Sequence, residues 1–265
     1  MATVSRATLE SLLCRKQLDR TLIDALPHPD REARRDDAAI APTGVSALDE
    51  CLLGGFPRGE LSELVGPRSS GRSSLLLHMI AAATARGELV ALVDALDMFD
   101  VASAADAGID LERMLWIRGH VVPSPGLCHD LNQRALEQAV RAFTLVLQAG
   151  NFGLVALDVA DAPADAIRRL PFTTWLRLQR MVEGSQTACV LAGSDPMARS
   201  SAGLTLKFGG AQPGLSGAAS LRQRVRFGPR VFRGLETEAR VVRARTRVNE
   251  EASVAFTTVA HHGAA

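Results

Sequence analysis

The sequence predicts an α/β fold: a mostly parallel central sheet covered by helices, continued toward the C-terminus by antiparallel strands. Three observations carry this expectation. From residue 60 to residue 192, short apolar runs alternate with helix-length amphipathic stretches, as in a parallel sheet buried on both faces. Beyond residue 203, strand-like runs follow one another with no helical stretch between them. Between the first strand and the first long helix lies a glycine-rich loop with the spacing of a phosphate cradle.

The chain opens with apolar residues at helical spacing over 4–26, namely Leu9, Leu12, Leu13, Leu18, Leu22, Ile23 and Leu26, and Pro27 and Pro29 end that helix. A polar stretch from His28 to Asp37 reads as a linker, so the helix packs either on a partner or back on its own domain. The layout is therefore an N-terminal helix over 1–26, a linker over 27–40, a core domain over 41–248 and a C-terminal strand and tail over 249–265. Within the core, Glu60–Val65 reads as a strand, Arg72–Arg86 as an Ala-rich helix and Glu88–Asp94 as an apolar strand. Met114–Ile117 is a short strand, Leu127–Gln148 a helix, and Gly153–Asp158 a strand. A helix carrying Trp175, Leu176, Leu178 and Met181 leads to the strand Thr187–Ala192. Leu204–Phe208, Leu221–Phe227, Ala239–Thr246 and Ser253–Val259 read as the antiparallel extension.

Composition narrows the function classes. No run of about eighteen apolar residues occurs, so no membrane span is expected. The first twenty residues lack a signal-peptide core, and a cytoplasmic, nucleoid-associated protein is expected. The four cysteines show neither a CxxC nor a Cys/His zinc spacing, and they read as small buried side chains. Cys128 and His129 are adjacent, which on a helix makes a poor chelate. Charge is divided unevenly: residues 1–199 hold 20 basic and 25 acidic side chains, whereas residues 200–265 hold 10 and 4. A basic C-terminal third suits a polyanion. Basic residues are almost all Arg, which fits phosphate contacts and equally fits codon bias.

Gly66-Pro67-Arg68-Ser69-Ser70-Gly71-Arg72-Ser73 matches G-x-x-x-x-G-K-[ST] except at the Lys, which is Arg72. The glycines let backbone N–H groups turn inward, and the following helix N-terminus favours phosphate. The nucleotide-binding set is Gly66, Pro67, Arg68, Ser69, Ser70, Gly71, Arg72, Ser73 and Ser74, with ATP as the ligand. Arg72 is wider than Lys and shaped for bidentate contact, which implies altered geometry and slower chemistry. Ser73 and Asp158 are the candidate Mg²⁺ ligands. Asp158 ends an apolar strand as the metal-holding acid of phosphate-loop enzymes does, and a strand-terminal turn Asp is the alternative.

An ordered series of motifs then resembles the core of the RecA family across residues 40–247. It comprises Pro42-Thr43-Gly44-Val45-Ser46-Ala47-Leu48-Asp49, Gly54-Gly55-Phe56-Pro57-Arg58-Gly59-Glu60, the phosphate loop, Ile80-Ala81-Ala82-Ala83 and Val93-Asp94-Ala95. Leu204-Thr205-Leu206-Lys207-Phe208 resembles the strand after that family's second DNA loop, and Val231-Phe232-Arg233-Gly234 its late hairpin. The resemblance implies a RecA-like P-loop core. Within the superfamily, Gly71-Arg72-Ser73-Ser74-Leu75-Leu76-Leu77 resembles ImuA-type proteins of bacterial damage-inducible mutagenesis cassettes. That likeness implies DNA repair, SOS mutagenesis and translesion synthesis. Its implied partners are a Y-family-like polymerase homologue, an error-prone replicative-type polymerase and RecA itself.

Departures from the family point away from a motor. Leu96 stands where the family places its catalytic Glu and cannot polarise water; Asp97 beside it is a possible substitute. Asp100 matches an adenine-contacting acid, but Ser103 stands where a Tyr stacks on the base. Gly193-Ser194 replaces a polar amide sensor. The loops over 160–166 and 195–203, which correspond to DNA loops, are short. The DNA-contacting candidates are Arg199, Lys207, Arg222, Arg224, Arg226, Arg243 and Arg245, with Arg247 continuing the last series. Solvated strand faces are the alternative for both Arg series. Scarce aromatics imply backbone-driven, salt-sensitive DNA binding. The expected function is that of a repair accessory binding DNA and nucleotide without efficient hydrolysis; the alternative is an active DNA-dependent ATPase of the RecA/RadA type.

Overall fold

A computed structural model of the chain describes residues 39–119, 129–209, 224–227, 232–245 and 252–259. The expected helix over 1–26 and most of the linker lie outside the described residues. From Ile40 onward the strands are β1 (Ile40–Ala41), β2 (Phe56–Pro57), β3 (Leu61–Val65), β4 (Val90–Asp94), β5 (Met114–Arg118) and β6 (Leu154–Asp158). They continue as β7 (Ala188–Gly193), β8 (Leu204–Phe208), β9 (Arg224–Phe227), β10 (Phe232–Ala244) and β11 (Ser253–Val259). The helices are α1 (Ser46–Cys51), α2 (Arg72–Ala85), α3 (Val101–Asp106), α4 (His129–Ala149), α5 (Ala164–Arg169) and α6 (Phe172–Val182).

The main sheet runs β11-β10-β8-β3-β7-β6-β4-β5, with β9 also paired to β10. Pairings from β5 through β8 are parallel; those made by β10 are antiparallel. Every residue of β3, β4 and β7 is buried. One face carries α2 over Leu64, Leu92 and Val190. The other carries α4 and α6 over Leu61, Val93, Leu157 and Leu191. The fold is α/β with a mostly parallel sheet between helices and an antiparallel C-terminal extension, as the patterning predicts. Helix α4 is amphipathic and sets Ala135, Leu136, Ala139, Val140 and Phe143 against the sheet. No helix among the described residues is long and apolar enough to cross a membrane.

Ion pairs and hydrogen bonds fix what apolar packing leaves loose. The Asp49 carboxylate accepts from Thr43 N and Thr43 Oγ1, both at 2.8 Å, which closes the turn into α1. Arg58 donates to the carbonyls of Ile40, Gly153 and Gln186 and to Glu88 Oε1 at 2.7 Å, tying the amino ends of the strands together. Glu63, in the centre of β3, is 1% exposed. Its Oε1 accepts from Met197 N at 2.8 Å and Ala198 N at 2.7 Å, and its Oε2 from Thr205 Oγ1 at 2.8 Å. Burying a carboxylate is costly unless such donors replace water; here it pins the segment after β7 to the core.

Glu63→Ala should therefore lower unfolding stability by about 3 kcal/mol, since three buried donors would be left without an acceptor. Urea denaturation of the variant and the parent checks this; Glu63→Gln, which keeps one acceptor, should lose less.

Candidate functional site

The candidate residues gather at the carboxyl ends of the parallel strands. Two-sided burial leaves strand ends as the place for charge, and ligands of open α/β sheets bind there. Register puts Asp94, the last residue of β4, opposite Asp158, the last of β6, and Asp158 opposite Ala192 of β7. Val65 at the end of β3 lies between Gly193 and Lys207. The phosphate-loop residues 66–71 run from that edge into α2.

The loop's shape follows from its small residues. Gly71 caps α2 with φ +93°, a left-handed conformation that favours glycine. A Cβ there would meet the Thr237 side chain at 2.9 Å. Thr237 Oγ1 donates to Ser70 O at 2.6 Å, so β10 packs directly on the loop. Gly71 offers no side-chain acceptor and the first turn of α2 holds no acid. The helix therefore presents N–H donors and positive partial charge to the loop. Pro67, Arg68, Ser69 and Ser73 are exposed, Ser74 is half-buried, and Gly66, Ser70, Gly71 and Arg72 are buried.

Two arginines shape the loop further. Arg72 is 4% exposed; its Nη1 donates to Gly66 O and, at 2.8 Å, to Gly193 O. Burial pulls this guanidinium below its ordinary pKa, while Asp158 and Asp161 pull it back up. Arg68 reaches from the loop's outer side to Asp161 at 2.6 Å. Ser70 Oγ and Arg72 Nε are buried without a hydrogen-bond partner among the described residues.

Asp158 Oδ1 accepts from Ala160 N at 2.9 Å, so the residue is also a turn Asp. Burial pushes its carboxyl up to about 6, with Asp94 and Asp161 adding to the rise and Arg72 opposing it. Asp94 Oδ2 accepts from Phe99 N at 2.7 Å. Leu96 is buried in the core, 6% exposed. Asp97, the candidate substitute base, is held by Arg118 at 2.7 and 2.8 Å, which keeps its carboxyl below the usual range. Asp100 caps α3, accepting from Ser103 N and Ala102 N and, at 2.5 Å, from Ser103 Oγ. The two positions that the family resemblance links to the base are thus bonded to each other.

The basic candidates fall into separate groups. Arg222 and Arg247 lie outside the described residues. Arg224 and Arg226 lie on β9, paired with Glu236 and Gly234 of β10. Lys207 pairs with Arg240, and Arg243 with Thr205, across a β-bulge at Val242. Lys207 and Thr205 are two residues apart on β8, so Lys207, Arg240 and Arg243 share one sheet face. Arg245 continues past the bulge and donates to Ser200 O at 2.9 Å, beside the exposed Arg199. On the same face, two residues before Arg240, Glu238 accepts from Ser253 Oγ. Sequence reasoning missed Arg240, because plain alternation separates it from Arg243.

Residues 25–125 match the RecA N-terminal domain. Over those residues the chain is similar to that domain. Protein RecA of Clavibacter michiganensis is 37% identical over 129 residues, which are 48% of this chain and 32% of that protein. Protein RecA of Syntrophus aciditrophicus is 42% identical over 130 residues, 49% of this chain and 34% of the relative. For protein RecA of Leifsonia xyli the figures are 32% over 156 residues, 54% and 40%. The chain spans 32% to 40% of the length of these three relatives.

A pH test reads the Asp158 environment. Its folded pKa lies above the value of about 3.9 for an unfolded Asp, so the folded state binds the proton more tightly. The stability it contributes is complete below pH 4 and lost as pH rises through about 6. Asp158→Asn should abolish that slope and, above pH 6, make the protein more stable than the parent by up to about 3 kcal/mol. Denaturation curves between pH 4 and 8 check it.

Proposed function

We propose that this chain is a RecA-like accessory protein of DNA repair that binds the DNA backbone and Mg²⁺·ATP without hydrolysing ATP efficiently. It would regulate translesion synthesis, RecA-mediated recombination or both through protein contacts. The observation that carries the reading is the state of the carboxyl-edge site: Leu96 is buried and Asp97 is held by Arg118. Next to Leu96, Asp97 is thus engaged in an ion pair, and Asp94, 2% exposed, accepts from Phe99 N through one oxygen.

The residues present fit a phosphate chain. Buried Ser70 Oγ and Arg72 Nε lack partners, and the start of α2 offers N–H donors. The backbone of residues 66–74 would cradle phosphates, while Ser73 and Asp158 would hold Mg²⁺, whose role when bound is to neutralise phosphate charge. Asp100 would meet the base only by sharing its carboxylate with Ser103.

For DNA, the face bearing Lys207, Arg240, Arg243 and Arg245, with Arg199 beside it, supports electrostatic contact to phosphates. Such contact carries little sequence information. Polymerase partners of the Y-family-like and error-prone replicative types, and RecA, are the proposed protein contacts; they rest on the ImuA-type likeness of the phosphate loop.

Steady-state ATPase assays with single-stranded DNA test the first claim. Turnover should stay near background; recombinase-like turnover that is lost in Asp158→Ala would overturn it in favour of an active DNA-dependent ATPase. For the second, Lys207→Glu combined with Arg243→Glu should weaken single-strand binding about tenfold or more at low salt. The slope of log K against log salt should fall by about 0.7 for each phosphate contact removed. An unchanged slope would dismiss this face.

A further inference from the structure

Arg72 offers more than a substituted lysine. A phosphate-loop Lys reaches toward the β- and γ-phosphates, so its side chain is directed at ligand. Here the guanidinium is turned onto protein: Nη1 donates to Gly66 O and Gly193 O, the carbonyls where β3 enters the loop and where the neighbouring β7 ends. Gly66 N donates back to Gly193 O at 3.2 Å, so the same junction is closed twice. The side chain is as buried as core residues, and Asp158 and Asp161 attract it. Nearby Ser70 Oγ, 5% exposed, has no partner among the described residues. On the outer side, Arg68 joins the loop to Asp161.

From this geometry we propose that Arg72 is an internal occupant of the phosphate seat, stapling the loop shut on its own backbone, so that a di- or triphosphate enters only after Arg72 swings out. This rests on the reading above that the loop takes a phosphate chain, and it names what controls entry. The guanidinium supplies the positive charge that the site's acids would otherwise draw from a metal ion, and its N–H groups fill the carbonyls. Apparent affinity is then set by the fraction of molecules with Arg72 out of the seat. A lysine, one bond shorter and without the planar fork, would hold the two carbonyls less firmly.

The direction of a mutational effect separates this role from that of an ordinary phosphate ligand. Isothermal titration of the full chain with Mg²⁺·ADP, and separately with inorganic pyrophosphate, is run on the parent, Arg72→Lys and Arg72→Ala. Both variants should bind at least about tenfold more tightly than the parent. Weaker binding by Arg72→Ala beside a binding parent would make Arg72 a phosphate ligand and overturn the staple, leaving the nucleotide site intact. No binding by any of the three overturns the staple and the nucleotide site together. Should Arg72→Ala fail to fold, the parent itself reports. The Arg72 guanidinium protons, bonded to Gly66 O and Gly193 O, should exchange slowly without ligand and faster at saturating pyrophosphate; unaltered exchange would count against the staple.

Discussion

Burial of the parallel strands on both faces is the constraint from which the rest of the molecule follows. With α2 on one side and α4 and α6 on the other, β3, β4 and β7 have no solvent face. Polar chemistry is then confined to strand ends or must be satisfied internally. Glu63 takes the internal route, with three donors around one carboxylate. Arg58 gathers the amino ends and Arg72 the carboxyl ends of neighbouring strands. The two arginines act alike at opposite edges, each adding side-chain donors to carbonyls where neighbouring strands begin or end.

The antiparallel extension is joined to this core through β10. Thr237 on β10 contacts the phosphate loop, while Arg240, of the opposite parity, lies with Lys207 on the basic face. One strand therefore touches the loop on one side and the proposed DNA surface on the other. β9 pairs with β10 on the edge that β8 uses, beyond the end of β8. It thereby carries the backbone at Arg224 and Arg226 past the carboxyl edge of the sheet.

Much of the core was legible because apolar runs and helical periodicity are strong signals at these lengths. Leu204–Phe208 and Ser253–Val259 begin and end where the patterning puts them, and α2 and α4 differ from it by one or two residues. The helices α1, α3 and α5 were not read from periodicity, since six residues hold too few turns to show it. β10 begins at Phe232, well before the expected Ala239. At the site, the loop, Asp158 and the replacement at Leu96 were visible as residue types in order. What could not be read is where a long side chain turns: that Arg72 faces carbonyls, or that Arg118 claims Asp97, depends on neighbours over a hundred and about twenty residues away.

The bulge at Val242 sets which length changes the basic face can absorb. Val241 pairs with Leu206 and Arg243 with Thr205, leaving Val242 as the extra residue, 43% exposed. Were the strand regular at its present length, Arg243 would point with Val241 into the apolar layer. Loss of Val242 alone would erase the bulge and still leave Arg243 opposite Thr205. Loss of a residue between Thr237 and Val241 would instead exchange the two sides of part of the strand, setting arginine against the phosphate loop and threonine toward solvent. Loss of this one residue of β10, Val242, thus leaves both surfaces in place.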